Sequence, residues 1–157
     1  MIDRLTNKAR LAVIDAKMES DDQGVSWCGT EHLLLGVTRI EGIAASAITT
    51  LYGSSQSLVE DMRQRVISAV GSESGISGRT ADLSNVMLKL APAEAKSFGD
   101  NFVGTEHLLL AMMRLDEGAA VRILRSMDLD VVLLEQEVIK LMPGSSEGSF
   151  DRNQRTR

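Results

Sequence analysis

Apolar positions along this chain recur at helical rather than strand spacing. In LTNKARLAVIDAKMES, Ala9, Val13, Ala16 and Lys17 fall on one face and Thr6 is placed as a cap, which predicts a helix to about Ser20. A second apolar run, HLLLGV, follows Gly29 and Thr30; Thr30 is the expected cap, with Glu31 at the positive end of the helix dipole. A third helix is predicted from about Ile43 to Leu51, ending before Gly53. Ser57 and Glu60 stand like a capping box for a fourth, which runs to Val70 and stops at Gly71. SESGISGRT (72–80) is polar and rich in Gly and Ser, as a linker is. The pattern then resumes, with helices expected at about 82–98, 105–114, 119–127 and 130–142. Pro143-Gly144 ends the last, and GSSEGSFDRNQRTR has the composition of a disordered polar tail. One local conflict stands inside the fifth helix. Pro92 lacks an amide donor there and costs about 3 kcal/mol unless the site is adapted, so a bend without functional role is expected.

The resumption is a duplication. GTEHLLL occupies 29–35 and again 104–110, an offset of 104 − 29 = 75 residues. GVTRIEGIAASAI follows the first copy and AMMRLDEGAAVRIL the second. Each holds an Arg (Arg39, Arg114), then an acidic-Gly pair (Glu41-Gly42, Glu117-Gly118), then small residues opening an apolar helix. The chain therefore divides into a first repeat (1–71), a linker (72–81), a second repeat (82–142) and a tail (143–157). The fold class is all-α, with two tandem four-helix repeats.

Composition narrows the function. The 157 residues carry a formal charge of -5, 43% hydrophobic residues, only 3% aromatic residues and eight Met, which suits one compact domain or two small lobes sharing a core. The single Cys28 rules out an internal disulfide, and charged residues at Asp3 and Arg4 do not resemble a signal peptide, so a cytoplasmic setting is expected. No apolar run approaches the roughly 20 residues of a membrane span. There is no basic stripe with stacking aromatics, which argues against nucleic acid. No P-loop motif is present, so no nucleotide cofactor is expected.

Catalytic chemistry finds no support. The only histidines, His32 and His107, each follow a Glu, and helix neighbours point about 100° apart, so neither orients the other. Cys28 lies near a helix start, which lowers a thiol pKa, but its counterpart is Val103, which favours apolar packing. His32, His107, Glu31 and Glu106 would make a zinc set if the repeats met about a pseudo-twofold axis. Neither repeat has a local pair of ligands, however, which favours each His bonding within its own lobe and no metal. A binding role fits better. Each unit places a carboxylate at a helix N-terminus after a Thr and follows it with an acidic-Gly turn into another helix. Carboxylates grip guanidinium groups, and free helix-start amides accept anions. Such a pair suits a ligand with cation and anion close together, although Thr-Glu is also simply a good helix start.

The doubled GTEHLLL, the Arg and the E-G-small-small turn resemble the N-terminal domain of the ClpC and ClpA class of AAA+ unfoldases over about residues 2–142, as do IDRLTNKARLAVIDA and LAPAEAKSFGDNFVGTEHLLL. The resemblance implies an all-α pseudo-dimer of two four-helix repeats that receives protein substrates and adaptor proteins for a Clp ATPase working with the ClpP peptidase. It implies recognition of phosphoarginine, with Thr30, Glu31, Gly42, Ile43 and Ala44, and Thr105, Glu106, Gly118, Ala119 and Ala120, as ligand-binding residues. The loop after the first motif is one residue shorter than is usual in the family, and the second has Leu115-Asp116 in place of Glu-Gly. Gly-Val and Gly-Asp stand at 24–25 and 99–100 where the family often has Gly-His. These departures predict weakened sites, the first more than the second, and leave Asp100 as a charge able to repel phosphate. The family's ATPase modules do not follow, which raises the alternative of a stand-alone accessory or decoy protein that binds a Clp machine without reading phosphoarginine.

Overall fold

The structure is a computed structural model, and it describes residues 4–72 and 76–143. The tail expected at 144–157 and linker residues 73–75 lie outside the described residues. The elements are α1 (Asn7–Asp22), α2 (Thr30–Arg39), α3 (Ile43–Tyr52), α4 (Ser55–Ser72), α5 (Ile76–Asn85), a π-helical segment (Val86–Leu90), α6 (Ala91–Ser97), α7 (Thr105–Met113), α8 (Ala119–Ser126) and α9 (Val131–Leu141). Because α5, the π segment and α6 follow without a break, the described residues form eight helical rods. The one β feature among them is an isolated bridge, Leu5 to Val103, which ties the lead-in of α1 to the lead-in of α7. Thr6 N–H donates to the Val103 carbonyl at 2.9 Å and Val103 N–H to the Arg4 carbonyl at 2.8 Å.

The duplicated motif lies at the centre. Residues 30–38 of α2 and all of α7 are buried, and the two helices pack on each other. Their sides are covered unequally by sequence distance. α1 covers α2, and α6 with the π segment covers α7, each within its own repeat. The third helices reach across: α3 packs on α7 and α9, and α8 packs on α2 and α4. One apolar core, from Leu5 to Met142, therefore runs through both repeats. A helix buried on all sides has no polar face to vary, which explains in packing terms why these positions are the ones repeated letter for letter.

Several boundaries differ from expectation. Thr6 caps α1 as predicted, its Oγ1 accepting from Ala9 N–H at 3.1 Å, and Asp130 caps α9 through Val132 and Leu133 N–H. Gly53 ends α3 in the left-handed region at φ +94°, where its N–H reaches the Thr49 carbonyl. The fourth helix, however, begins at Ser55, so Ser57 sits inside its first turn rather than at its cap. Of the linker expected at 72–81, Ser72 closes α4 and residues 76–81 open α5. Pro92 meets a π segment rather than a simple bend. Ala91 N–H bonds back five residues to the Val86 carbonyl, so the widened π turn lies directly before Pro92, where the hydrogen-bond ladder has to do without an amide donor.

Candidate functional site

The motif's four polar letters divide their roles. Gly29, not Thr30, is the N-cap of α2, and Gly104, not Thr105, is that of α7. The third helical residue closes the start in both copies: Gly29 N–H donates to His32 Nδ1 at 3.0 Å, and Gly104 N–H to His107 Nδ1 at 2.8 Å. This is the return half of a capping box, made by imidazole. With Nδ1 accepting, Nε2 bears the proton and donates, to Gln23 Oε1 in one repeat (3.2 Å) and Asp100 Oδ2 in the other (2.9 Å). Burial pushes the His32 pKa down to about 4, against the opposing charge of Glu19. Each imidazole is thus engaged at both nitrogens inside its own repeat, and among the described residues no group of His, Cys, Asp and Glu gathers as a metal site. Asp100 is turned inward onto His107. Cys28 packs against the core, and burial raises its thiol pKa, the opposite of activation.

The site residues come together across the repeats. Thr30 and Glu31 begin α2, and Ala120 N–H, from the turn of the second repeat, donates to Thr30 Oγ1 at 3.3 Å. Thr105 and Glu106 begin α7 against the first repeat's turn, where a Cβ on Gly42 would stand 3.0 Å from Thr105 Oγ1. The sequence reading placed motif and turn of the same repeat side by side; the exchange of α3 and α8 between repeats pairs each motif with the other repeat's turn instead. Two clefts result. The second-motif cleft, about 300 Å³, is lined by Lys8, Glu41, Gly42, Ile43, Ser46, Thr105, Glu106 and Leu141. The first-motif cleft, about 570 Å³, has no motif residue in its wall and meets the motif only through Arg79, the ion-pair partner of Glu31; Ala119 at the start of α8, Arg65 and Arg122 also border it. Ala44 is buried behind the first turn, and Gly118 and Ala120 behind the second.

Burial of the two glutamates is nearly complete, 0% exposed for Glu31 and 1% for Glu106. Glu31 is ion-paired through Oε2 with Arg79, from α5. Arg79, 6% exposed, lies with its guanidinium carbon 5.2 Å from the centre of the Trp27 ring and also donates to the Ala69 carbonyl at 3.5 Å. This is a residue that the sequence reading missed, inside the segment taken for linker. A signal existed: by the repeat offset it matches Arg4 (79 − 75 = 4), which reaches the Asn101 carbonyl beside the second motif as Arg79 reaches the first. The two Arg residues of the repeated loop serve elsewhere. Arg39 bonds Asp15 and Glu19 at 3.1 and 2.8 Å, and Arg114 bonds Glu94 and Glu135 at 2.6 and 3.1 Å. Each ties the end of a motif helix to its neighbours, away from both clefts.

Comparison with known proteins places this geometry. Residues 4–142 match the Clp repeat (R) N-terminal domain. The chain is 35% identical over 147 residues to the ATP-dependent Clp protease ATP-binding subunit ClpC of Staphylococcus saprophyticus, covering 93% of this chain and 18% of that protein. It is 33% identical over 157 residues to the chaperone protein ClpB of Oceanobacillus iheyensis, covering 99% of this chain and 19% of that one. The chain thus spans about a fifth of the length of these relatives. In fold it is similar to the N-terminal domain of ClpD from Arabidopsis thaliana (TM-score 0.72, 21% identity, 89% of this chain and 98% of that). It is also similar to the Hsp104 N-terminal domain from Candida albicans (TM-score 0.69, 16% identity, 95% of each). With its doubled motif helices at the centre of an all-α fold, the chain belongs to the Clp repeat N-terminal domain family.

Proposed function

We propose that this chain is a recognition module of a Clp unfoldase and protease system, non-catalytic itself, that binds protein substrates or adaptors, and that its ligand is a phosphoarginine side chain held in the second-motif cleft. The observation that carries this reading is the position of Glu106. It is a buried carboxylate at a helix start, lining a cleft whose opposite wall is the Gly42-Ile43 turn opening α3. A guanidinium would meet Glu106, and the phosphate attached to it would meet the α3 start and Lys8. Calorimetric titration with free phosphoarginine tests the reading, with arginine and phosphoserine as controls. Saturable binding of phosphoarginine alone, lost in Glu106→Gln, is expected. A folded chain that takes up no heat overturns it.

One observation favours the alternative, an accessory protein that docks on a Clp machine by another face. Leu11, Ile14 and Met18 are 52%, 48% and 63% exposed along one side of α1, and none lines either of the two motif clefts. Replacing all three by Ser would abolish capture of a Clp ATPase under this reading and leave phosphoarginine binding untouched under the first.

A further inference from the structure

We infer that Arg79 sets the ligand specificity of the first-motif cleft: it occupies the guanidinium position at Glu31 from within the chain, so a guanidinium-bearing ligand is refused there. The refusal follows from contacts independent of the proposed function; the corollary, that such a ligand enters at Glu106, rests on it.

Three contacts fix Arg79 in the role a ligand would fill. Its Nη1 pairs with Glu31 Oε2, its guanidinium lies over the Trp27 ring, and its other amine reaches the Ala69 carbonyl. A guanidinium binds best when a carboxylate meets its edge and an aromatic ring its face, and both are present. The other carboxylate oxygen offers no second entrance. Glu31 Oε1 is buried without a hydrogen-bond partner among the described residues and turns toward Gly29, where an added Cβ would lie only 2.2 Å from it. Glu31 is therefore approached through Oε2, and Arg79 holds that side. Arg79 also lines the cleft, so its removal would open the carboxylate toward solvent.

The second repeat is built differently at the matching places. Arg4, the counterpart of Arg79, is exposed and donates to the Asn101 carbonyl at 3.4 Å. Phe102, the counterpart of Trp27 (102 − 75 = 27), is 50% exposed where Trp27 is 9%. The duplicated motif thus keeps identical letters while Arg4 and Phe102 do not repeat the seating of Arg79 and Trp27.

The test compares the full 157-residue chain with Arg79→Ala. Methylguanidine is the probe, with methylammonium as control, and amide shifts of Gly29–His32 report on the first site. The variant is expected to bind methylguanidine at least roughly tenfold more tightly than the unaltered chain does, with those amides responding. In calorimetry its phosphoarginine stoichiometry is expected to rise from one to two. A variant that gains neither response shows Arg79 to be a plain structural tie and overturns the inference. So does an unaltered chain whose Gly29–His32 amides titrate with phosphoarginine. Methylguanidine uptake by the variant with no phosphoarginine binding by either protein upholds the inference and removes the proposed function. Arg79→Gln leaves no cation beside Glu31 while keeping much of the side-chain volume, and gives the same readout should the alanine variant not fold.

Discussion

Glu31 and Arg79, 48 residues apart in sequence, form an ion pair in which neither side chain is more than 6% exposed. Both charges have left water, so removing one strands the other. Arg79→Ala is expected to lose about 3–5 kcal/mol of stability in urea unfolding, while Glu31→Gln with Arg79→Met loses much less because nothing charged stays behind. Equal losses from the single and double variants would show that the pair contributes no more than its packing volume.

Acid should weaken the fold in two overlapping windows. The native His32 pKa lies near 4 against 6.5 unfolded, so between those values the unfolded chain takes up a proton that the native chain refuses. Stability therefore falls as pH drops from 6.5 to about 4, by roughly 3 kcal/mol from this group. Glu19 acts lower. Burial alone would raise its pKa, but bonds from Gln23 and Arg39 and the charges of Arg39 and Arg63 outweigh that and hold it below the ordinary value. Its contribution is complete above about 4.5 and is lost as pH falls through its native value. Urea midpoints from pH 7 down to about 3 check both, and His32→Gln should flatten the upper window. An unchanged slope in that variant contradicts the assignment.

Gly36 lets α1 and α2 approach closely, since a Cβ there would lie 2.3 Å from the Ala12 carbonyl oxygen. The obstacle is helix backbone, which does not swing aside. Gly36→Ala is expected to cost about 1–3 kcal/mol by overpacking, more than the helix propensity it gains. The second repeat carries Ala111 at the matching place, so Ala111→Gly serves as the contrast and should lose only about 1 kcal/mol or somewhat more. A melting temperature raised by Gly36→Ala would refute the close approach.

The Arg114 cluster sits nearer the surface, with Arg114 40% exposed and Glu94 13%. Its bonds to Glu94, then to Glu135, hold the guanidinium pKa above its ordinary value. Screening discounts such a pair, so Arg114→Ala is expected to cost about 1 kcal/mol or less, with the loss shrinking in high salt. A loss of several kcal/mol, insensitive to salt, would mean that the side chain matters through its packing.

What was legible in the sequence follows from where the constraint is local. α2 and α7 were legible because every position from 30 to 38 and from 105 to 113 is buried, so pattern and repeat coincide. The ends of α1, α3 and α9 were legible because Thr6, Gly53 and Asp130 act on residues within four places of themselves. The start of α5 was not. Its Gly and Ser disfavour a helix locally, and what anchors Arg79 there, Trp27 and Glu31, lies some fifty residues upstream. The pairing of each motif with the other repeat's turn was hidden for the same reason, since helix periodicity says nothing about which helix lies opposite.

The central claim is that the cleft between Glu106 and the Gly42-Ile43 turn receives the ligand. Amide chemical-shift mapping of the full chain during titration with phosphoarginine tests it most directly. The account predicts saturating shifts at Gly42, Ile43, Thr105 and Glu106, with Gly29–His32 silent. Saturating shifts confined to the first motif, or no shifts in a folded chain, would contradict it.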